Sequence, residues 1–174
     1  MLAQNHRDFN NLIEPFEEKM IRSIGRILSN RSDADDALQD ALIKIWKRLN
    51  RIRVHANPEA LVLRICANSA YDVLRKQSRE KKHIPLDGTS VKISDPEPSA
   101  IEKIADWEAR KEILEAISRL SRKQAELVIM RYVQGLSFNV IAQAQGCREV
   151  TARKHLERAR IKLRERLMHL APFI

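Results

Sequence analysis

The segment from Leu120 to Leu167 constrains the fold of this chain most strongly, because helix-start signals and helix-ending glycines follow one another closely. Ser121 stands three residues before Gln124, the spacing of a capping box, in which two side chains satisfy backbone N–H groups of the first helical turn. We expect a helix from there to about Gln134. Gly135 then ends it, since glycine readily adopts the left-handed conformation found at helix ends.

A short helix and a longer, basic helix should follow. Ser137 can cap the short one, in which Ile141 and Ala142 face inward, and a turn is expected at Gln145-Gly146-Cys147. From Glu149 onward, apolar side chains recur at helical spacing. They are Ala152, Leu156, Ala159, Leu163 and Leu167. The other faces carry Arg153, Lys154, Arg158, Arg160, Lys162, Arg164 and Arg166.

This pattern predicts a helix-turn-helix whose second helix binds nucleic acid. Residues 148–166 contain eight Lys or Arg against three Glu. In such a motif the second helix enters the major groove, where its first turns reach base edges and later basic residues bind phosphates. The candidate contacts are Arg148, Glu149, Arg153, Lys154, His155, Glu157 and Arg158. A charged helix face that only meets solvent is the simpler alternative.

Composition predicts an all-α protein of two small helical domains joined by a flexible linker. The 174 residues include only four Gly and six Pro, and no long run of alternating apolar residues is present. Pro85, Gly88, Pro96 and Pro98 interrupt the helical periodicity, so residues 84–98 are expected to form a tether between domains 1–83 and 99–174. The net charge of +9 divides as +5, −2 and +6 over domain, linker and domain.

Several classes of protein are disfavoured. No apolar run approaches the roughly 20 residues that cross a bilayer, and the N-terminus lacks the apolar core of a signal peptide, so a cytoplasmic location without membrane insertion is expected. Cys66 and Cys147 are far apart and predict buried thiols rather than a disulfide or a metal pair. The five histidines form no ligand pattern, and no nucleotide fingerprint is present. We therefore expect no catalysis, cofactor or metal.

The first domain is predicted to hold three helices. One should span about Asp8 to Leu28, with a kink or delay at Pro15. Ser32 or Asp33 should cap the second, whose broad apolar stripe is formed by Ala37, Leu38, Ala41, Leu42, Ile45, Trp46 and Leu49. Asn57-Pro58-Glu59 begins the third with a capping side chain, a proline and an acid, and this helix should reach about Lys82.

Charges on these helices are uneven. Asp33, Asp35, Asp36, Gln39 and Asp40 crowd the start of the second helix. The helix dipole favours acids there, yet Asp36 and Asp40 lie four apart on one face and repel. On a basic protein, this acidic patch predicts a protein partner, with a solvated face as the alternative. The third helix ends in Arg75, Lys76, Arg79, Lys81 and Lys82, which complement its dipole and could also bind phosphate.

Two sets of residues resemble a known family. The run 33–40 (DADDALQD), with Ile45-Trp46 and the run from Leu63 to Lys76, resembles regions 2.2 to 2.4 of bacterial extracytoplasmic-function (ECF) sigma factors. Leu120-Ser121 through Arg131-Tyr132, Gly135-Leu136-Ser137, Ile141-Ala142 and Thr151 through Arg164 resemble their region 4. The resemblance covers both domains in order and leaves out only the linker and the extreme termini.

The resemblance implies a sigma factor that binds core RNA polymerase and directs it to promoters. The first domain would read and help melt the −10 element, and the second would read the −35 element. Asp36, Gln39 and Asp40 would meet the clamp helices of the polymerase β′ subunit. Asn68 would recognise an unstacked −10 base, with Asp72 nearby and with backbone contacts from Arg64, Arg75 and Lys76.

The resemblance also assigns roles to connecting segments. Residues 50–57 correspond to the loop that holds a flipped base, and the acidic linker would thread toward the RNA exit path. An apolar face including Leu127, Val128 and Tyr132 would be available to the flap of the polymerase β subunit. An anti-sigma factor is a further candidate partner.

Three positions depart from the family pattern. Leu61 stands where the family has an aromatic residue, Arg148 where a serine commonly caps the recognition helix, and Val150 where a glycine is usual. Arg148 cannot cap a helix, which costs about 1 kcal/mol unless a phosphate takes the place of the cap. Promoter sequence preference is therefore the property that can least be inferred from the resemblance.

Two alternatives belong to other classes. A conventional helix-turn-helix transcription regulator would bind duplex DNA specifically without polymerase, at symmetric half-sites. An adaptor that mimics a sigma factor and titrates an anti-sigma protein would bind its partner without opening promoters.

Overall fold

The computed structural model describes residues 2–80 and 100–168, so the expected linker 84–98 and the basic residues Lys81 and Lys82 lie outside the described part. All regular elements within it are helical. The first part contains α1 (Leu2–Ile13), α2 (Glu17–Gly25), α3 (Arg31–Trp46), α4 (Leu49–Arg53) and α5 (Pro58–Glu80). The second contains α6 (Ala100–Ser118), α7 (Arg122–Val128), α8 (Phe138–Gln145) and α9 (Glu149–Leu167).

Two helices of the first part begin at asparagines. Asn30 caps α3, because its Oδ1 accepts hydrogen bonds from the N–H groups of Ser32 (2.8 Å) and Asp33 (3.3 Å). The prediction that Ser32 or Asp33 supplies this cap is therefore wrong, and the helix begins two to three residues earlier than that cap implied. Asn57 caps α5 as predicted, accepting from the N–H of Ala60 at 3.0 Å. Pro15 lies in a 3₁₀ turn that separates α1 from α2.

The helix-turn-helix forms at the predicted positions. The hydroxyl of Ser137 accepts from the N–H of Val140 at 3.3 Å and caps α8. Gly135 and Gly146 have φ of 70° and 64°, the left-handed conformation that glycine adopts without strain. Arg148 stands at the N-cap of α9 and makes no capping hydrogen bond with its side chain, as its chemistry predicts.

The segment after α7 differs from a regular helix. Residues Ile129–Val133 form a π-helical turn, in which the N–H of Gln134 bonds to the carbonyl of Ile129 at 3.0 Å, five residues back. The apolar run 127–130 is fully buried in the core, so Leu127 and Val128 are not available to a partner as expected, whereas Tyr132 is exposed. The prediction of a continuous helix to Gln134 missed this turn.

A single buried core joins the two parts through α5. One side of α5 packs on α2 and α3, where Ala37, Ala41 and Ile45 are fully buried. Its other side packs on α6, α7 and α8. The buried cluster therefore runs without a break from Met20 through Tyr71 to Leu156. Helix α5 thus holds the two predicted domains together.

Candidate nucleic-acid interface

The basic face of α9 is open to solvent. Ala152, Leu156 and Ala159 are buried, as the spacing predicted, whereas Leu163 and Leu167 of the same predicted stripe are half-buried. Of the seven candidate contacts, Glu149 and His155 are half-buried. The exposed ones are Arg148, Arg153, Lys154, Glu157 and Arg158. The structure therefore brings the predicted DNA-contacting residues together on one surface.

Arg153 is held in place by two neighbours. Its Nε donates to Glu149 Oε1 at 2.9 Å, one turn earlier, and its guanidinium lies 4.2 Å from the ring centre of Phe138 in α8. Arg131 lies over the same ring at 5.0 Å. Within the described part of the chain, Lys154 and Arg158 form no ion pair, so their charges remain available to an anion.

Three of the five predicted −10 contacts form a row along α5. Arg64, Asn68 and Asp72 are spaced by four residues, which places them on one face of the helix. All three are half-buried, whereas Arg75 and Lys76 are exposed near the end of α5. The structure thus separates the row of polar contacts from the two basic residues that follow it.

Helix α7 covers this row. Glu126 Oε1 accepts from Arg64 Nε, and Glu126 Oε2 accepts from Asn68 Nδ2 at 3.2 Å. Arg122 donates to Asn68 Oδ1 at 3.3 Å and to Asp72 Oδ2 at 2.8 Å. The row expected to face DNA is therefore occupied by side chains from the second part of the same chain.

Further hydrogen bonds join the first part of the chain to the second. The hydroxyl of Tyr71 donates to the carbonyl of Leu120 at 2.6 Å, and burial raises the pKa of this phenol. Gln134 Nε2 donates to Leu63 O at 2.9 Å and to Ser23 Oγ at 2.7 Å. The contact between the two parts thus includes several hydrogen bonds within an otherwise apolar core.

The acidic residues of α3 fall into two environments. Asp36 and Gln39 are exposed, so they remain accessible to a protein partner. Asp40 instead accepts from Ser69 Oγ at 2.7 Å and pairs with Lys44 at 2.5 Å. Burial disfavours its ionised form, but the hydrogen bonds from Lys44 and Ser69 outweigh burial and lower the pKa of this carboxyl.

Residues 50–53, the first half of the segment expected to hold a flipped base, belong to helix α4. A shallow cavity of about 350 Å³ lies beside it, lined by Trp46 and by the polar or basic side chains Lys47, Arg48, Asn50 and Arg51. Farther along, His55 Nδ1 accepts from the N–H of Asn57 at 3.0 Å. Basic groups therefore surround this cavity.

The remaining predictions concern the two cysteines, a metal site and a membrane span. Cys66 is buried and Cys147 half-buried, and both thiols are free, so the prediction of two buried thiols is right for Cys66 only. Among the described residues, no cluster of His, Cys, Asp and Glu could hold a metal ion. No helix in that same part of the chain has the length and apolarity to cross a membrane.

Sequence reasoning missed the residues that cover α5. Glu126 follows Ala125 and precedes the apolar run 127–130, so a lone acid within a buried stretch was the available signal. Arg122 lies in the first turn of the predicted helix, where the sequence alone indicates an exposed charge. Lys44, which lies between Asp40 and Asp72 with its Nζ 3.7 Å from Asp72 Oδ2, gave no signal in the sequence.

Two family models match the chain in the order of its helices. Residues 12–80 match the model of sigma-70 region 2, and residues 110–163 match that of sigma-70 region 4. The first match ends with α5, and the second takes in the helix-turn-helix.

Individual proteins similar to this chain are also RNA polymerase sigma factors. The probable RNA polymerase sigma factor RfaY of Xanthomonas campestris is 29% identical over 140 residues, which are 78% of this chain and 34% of that protein. The chain thus spans about a third of that relative. The ECF RNA polymerase sigma-E factor of Escherichia coli K12 is 25% identical over 166 residues, covering 90% of this chain and 84% of the relative.

A solved structure supports the fold. The sigma factor RpoE of Bartonella quintana, determined in complex with the anti-sigma factor NepR, has a TM-score of 0.56 and 22% identity, covering 93% of this chain and 98% of that one. A helical region 2 followed by a region 4 helix-turn-helix defines a sigma-70-type initiation factor. The chain belongs to the ECF type of RNA polymerase sigma factors. Such factors direct the polymerase to promoters to initiate transcription and are not themselves enzymes.

Proposed function

We propose that this sigma factor binds the β′ subunit of core RNA polymerase through the acidic end of α3, and promoter DNA through α5 and α9. The observation that carries this proposal is the exposed basic face of α9, in a helix-turn-helix whose second helix buries Ala152, Leu156 and Ala159 on its apolar side. Such a face attracts DNA through its phosphates, and base contacts then select the site.

The −35 contacts are assigned to the seven residues of α9 and its cap. Lys154 and Arg158 supply charge without an ion-pair partner among the described residues, while Glu149 and Phe138 orient Arg153. Arg148 at the N-cap leaves the first N–H groups of α9 without a side-chain acceptor. A DNA phosphate placed there would satisfy them, since helix N-termini bind anions.

The −10 contacts are assigned to Arg64, Asn68, Asp72, Arg75 and Lys76. Asn68 offers both a donor and an acceptor to an extruded base. Holding such a base lowers the cost of unpairing, which is a few kcal/mol, so the protein favours melted DNA while the polymerase does the chemistry.

Polymerase contacts are assigned to Asp36, Gln39 and Asp40 for the β′ subunit. For the β subunit, the exposed side chain of Tyr132 supports the assignment, whereas the burial of Leu127 and Val128 argues against including them. We propose a cytoplasmic location, without insertion into a membrane, because the proposed partner is core RNA polymerase. Regulation by an anti-sigma factor is supported by the Bartonella relative, whose structure includes one.

Run-off transcription with purified core polymerase tests the proposal. Core enzyme should begin transcription at discrete start sites on genomic promoter fragments only when the chain is added. Specific binding to symmetric duplex sites without polymerase would favour a conventional regulator instead. Binding to an anti-sigma protein without any start-site selection would favour a titrating adaptor.

A further inference from the structure

Val150, in the first turn of α9, is an apolar side chain that the fold leaves in solvent. It is 75% exposed, and among the described residues only Val54 is a more exposed large apolar side chain. A single apolar side chain on a surface is ordinary and needs no explanation by itself. The position of Val150 does need one, because it directly follows Glu149 at the start of the helix that is assigned to the major groove.

Neither helix stability nor the core accounts for a valine at this position. The helix dipole favours acids in the first turn, and Glu149 already supplies one there. Valine is branched at Cβ and loses side-chain freedom in a helix, so it is a weaker helix former than most polar residues with straight side chains. The buried side of α9 begins at Ala152, about 200° further round the helix axis.

Basic residues lie beside Val150 without covering it. Arg153 and Lys154 follow three and four positions later, so they share its face of α9. Long basic side chains often lay their apolar stems over such a residue. Here Arg153 is held by Glu149 and Phe138 instead, and the methyl groups of Val150 stay open to solvent. The result is a small apolar site within a surface that attracts DNA.

The major groove offers one apolar group to such a side chain. Base edges there present hydrogen-bond donors and acceptors, and thymine alone adds a methyl group, at C5. A valine pressed against a donor or acceptor would deprive that group of water without replacing the hydrogen bond, which costs free energy.

We propose that Val150 contacts the C5 methyl of one thymine in the −35 element and makes binding selective for that base pair. This inference rests on the proposed function, which places α9 in the major groove, and adds one residue to the contacts assigned there. The contact is particular to this chain, because the family pattern has glycine where Val150 stands and glycine has no side chain to reach a base.

Replacement of thymine by deoxyuridine removes the C5 methyl and keeps the hydrogen-bonding groups of the base. Holoenzyme, assembled from the full chain and core RNA polymerase, is tested on promoter fragments that support run-off transcription, with each upstream thymine replaced in turn. At one position the wild type should bind about fourfold less tightly, the loss expected for one methyl group that is no longer buried. Fluorescence anisotropy measures the affinities.

Three variants identify the side chain responsible. Val150→Ser should bind the thymine and deoxyuridine fragments equally, because serine lacks both methyl groups and has a helix propensity similar to that of valine. Thr151→Ser removes only the methyl group of the neighbouring exposed threonine. Ile161→Ser removes another exposed apolar side chain, about three turns further along α9. Both of these controls should keep the fourfold difference.

Equal binding of the wild type to thymine and deoxyuridine at every upstream position would overturn the contact, and so would an undiminished difference in Val150→Ser. If either control lost the difference, the preference would not belong to Val150 and the contact would also be overturned. In each of these cases, transcription from the fragments would still support the proposed function. If holoenzyme started transcription on no fragment, the proposed function itself would fail, and the contact with it.

Discussion

Arg64 of α5 and Glu126 of α7 form an ion pair in which the carboxylate is 6% exposed and the guanidinium 34% exposed. The pair joins residues 62 positions apart, across the boundary between sigma regions 2 and 4. A residue placed by family resemblance in the −10 site therefore also has a defined partner inside the protein. Substitutions at Arg64 are expected to affect both the contact between the two regions and the proposed DNA binding, so residues with a single proposed role give cleaner tests.

Replacement of Lys154 by alanine should weaken binding of α9 to duplex DNA at every sequence, because its charge has no ion-pair partner in the part of the chain that the structure describes. The slope of log affinity against log salt concentration should fall by about 1, as expected for one lost phosphate contact. Fluorescence anisotropy over a sodium chloride series measures both. The control Arg119→Ala removes one exposed charge just after α6 and should leave the slope unchanged. Equal slopes for wild type and Lys154→Ala would place this residue off the DNA.

Replacement of Arg148 by serine should separate helix capping from phosphate binding. Serine supplies the missing N-cap acceptor and should stabilise the protein by about 1 kcal/mol, whereas alanine should not. Urea denaturation measures this difference. Both variants should bind duplex DNA less well than the wild type, since both lose the cation. A variant Arg148→Ser that is no more stable than Arg148→Ala would contradict the N-cap assignment.

Replacement of Gly146 by alanine should destabilise the turn between α8 and α9 by about 1–2 kcal/mol, the cost of a left-handed conformation for a residue with a side chain. An added Cβ meets no atom within 4 Å, so the loss comes from the backbone alone. Asparagine tolerates this conformation better, and Gly146→Asn should recover part of the loss. Urea denaturation of the three proteins tests the order, and equal stability of the three would refute it.

The thiol of Cys66 should resist alkylation while that of Cys147 reacts. Burial raises the pKa of Cys66 to about 12, so its reactive thiolate is absent at pH 8. Mass spectrometry after iodoacetamide treatment should find one modified cysteine in the native chain, none in Cys147→Ser, and two after denaturation of the wild type. Modification of Cys66 in the native chain would contradict its burial.

The same thiol makes the stability of the fold depend on alkaline pH. The folded-state pKa of Cys66 lies above the value of 9.0 for a free thiol, so its stabilising contribution is complete below pH 9 and is lost as the pH rises toward 12. The variant Cys66→Ala, compared with the wild type by urea denaturation across this range, should lose less stability. A parallel decline in both proteins would exclude this cause.

Replacement of Asp36 by alanine should lower affinity for core polymerase by roughly tenfold, equivalent to about 1.4 kcal/mol, without changing stability. Asp36 is exposed, whereas Asp40 holds Lys44 and Ser69, so Asp40→Ala should lower both affinity and stability. Biolayer interferometry and urea denaturation separate the two effects. Glu108→Ala removes one negative charge from an exposed position of α6 instead of α3 and serves as the control. Unaltered polymerase affinity in Asp36→Ala would remove it from the interface.

The sequence predicted the elements that depend on local chemistry. Capping side chains, helix-ending glycines and apolar spacing act within a few residues, so α5, α8 and α9 begin where Asn57, Ser137 and Glu149 indicate. Family resemblance supplied region 2 and region 4. Asn30 was missed as the cap of α3 because three adjacent residues, Asn30, Ser32 and Asp33, can all cap a helix.

Contacts between distant residues were not predictable in this way. The charges of Arg122 and Glu126 could be read from the sequence, but nothing local specifies that they meet Asp72 and Arg64 of another helix. The two domains were expected as separate bodies for the same reason. Burial of Leu127 and Val128 depends likewise on the packing of α7 between α5 and α9.

The π-helical turn at Ile129–Val133 sets the direction in which Gln134 faces through the local winding of the backbone. Such a turn accommodates one more residue than an α-helix over the same path. If the same residues continued as a regular α-helix, Gln134 would be rotated by about 100° around the helix axis. The amide that reaches Leu63 and Ser23 would then point away from them. A substitution that converts this turn to α-helix would therefore alter how the halves of the protein meet, even where every side chain of the meeting surface is retained.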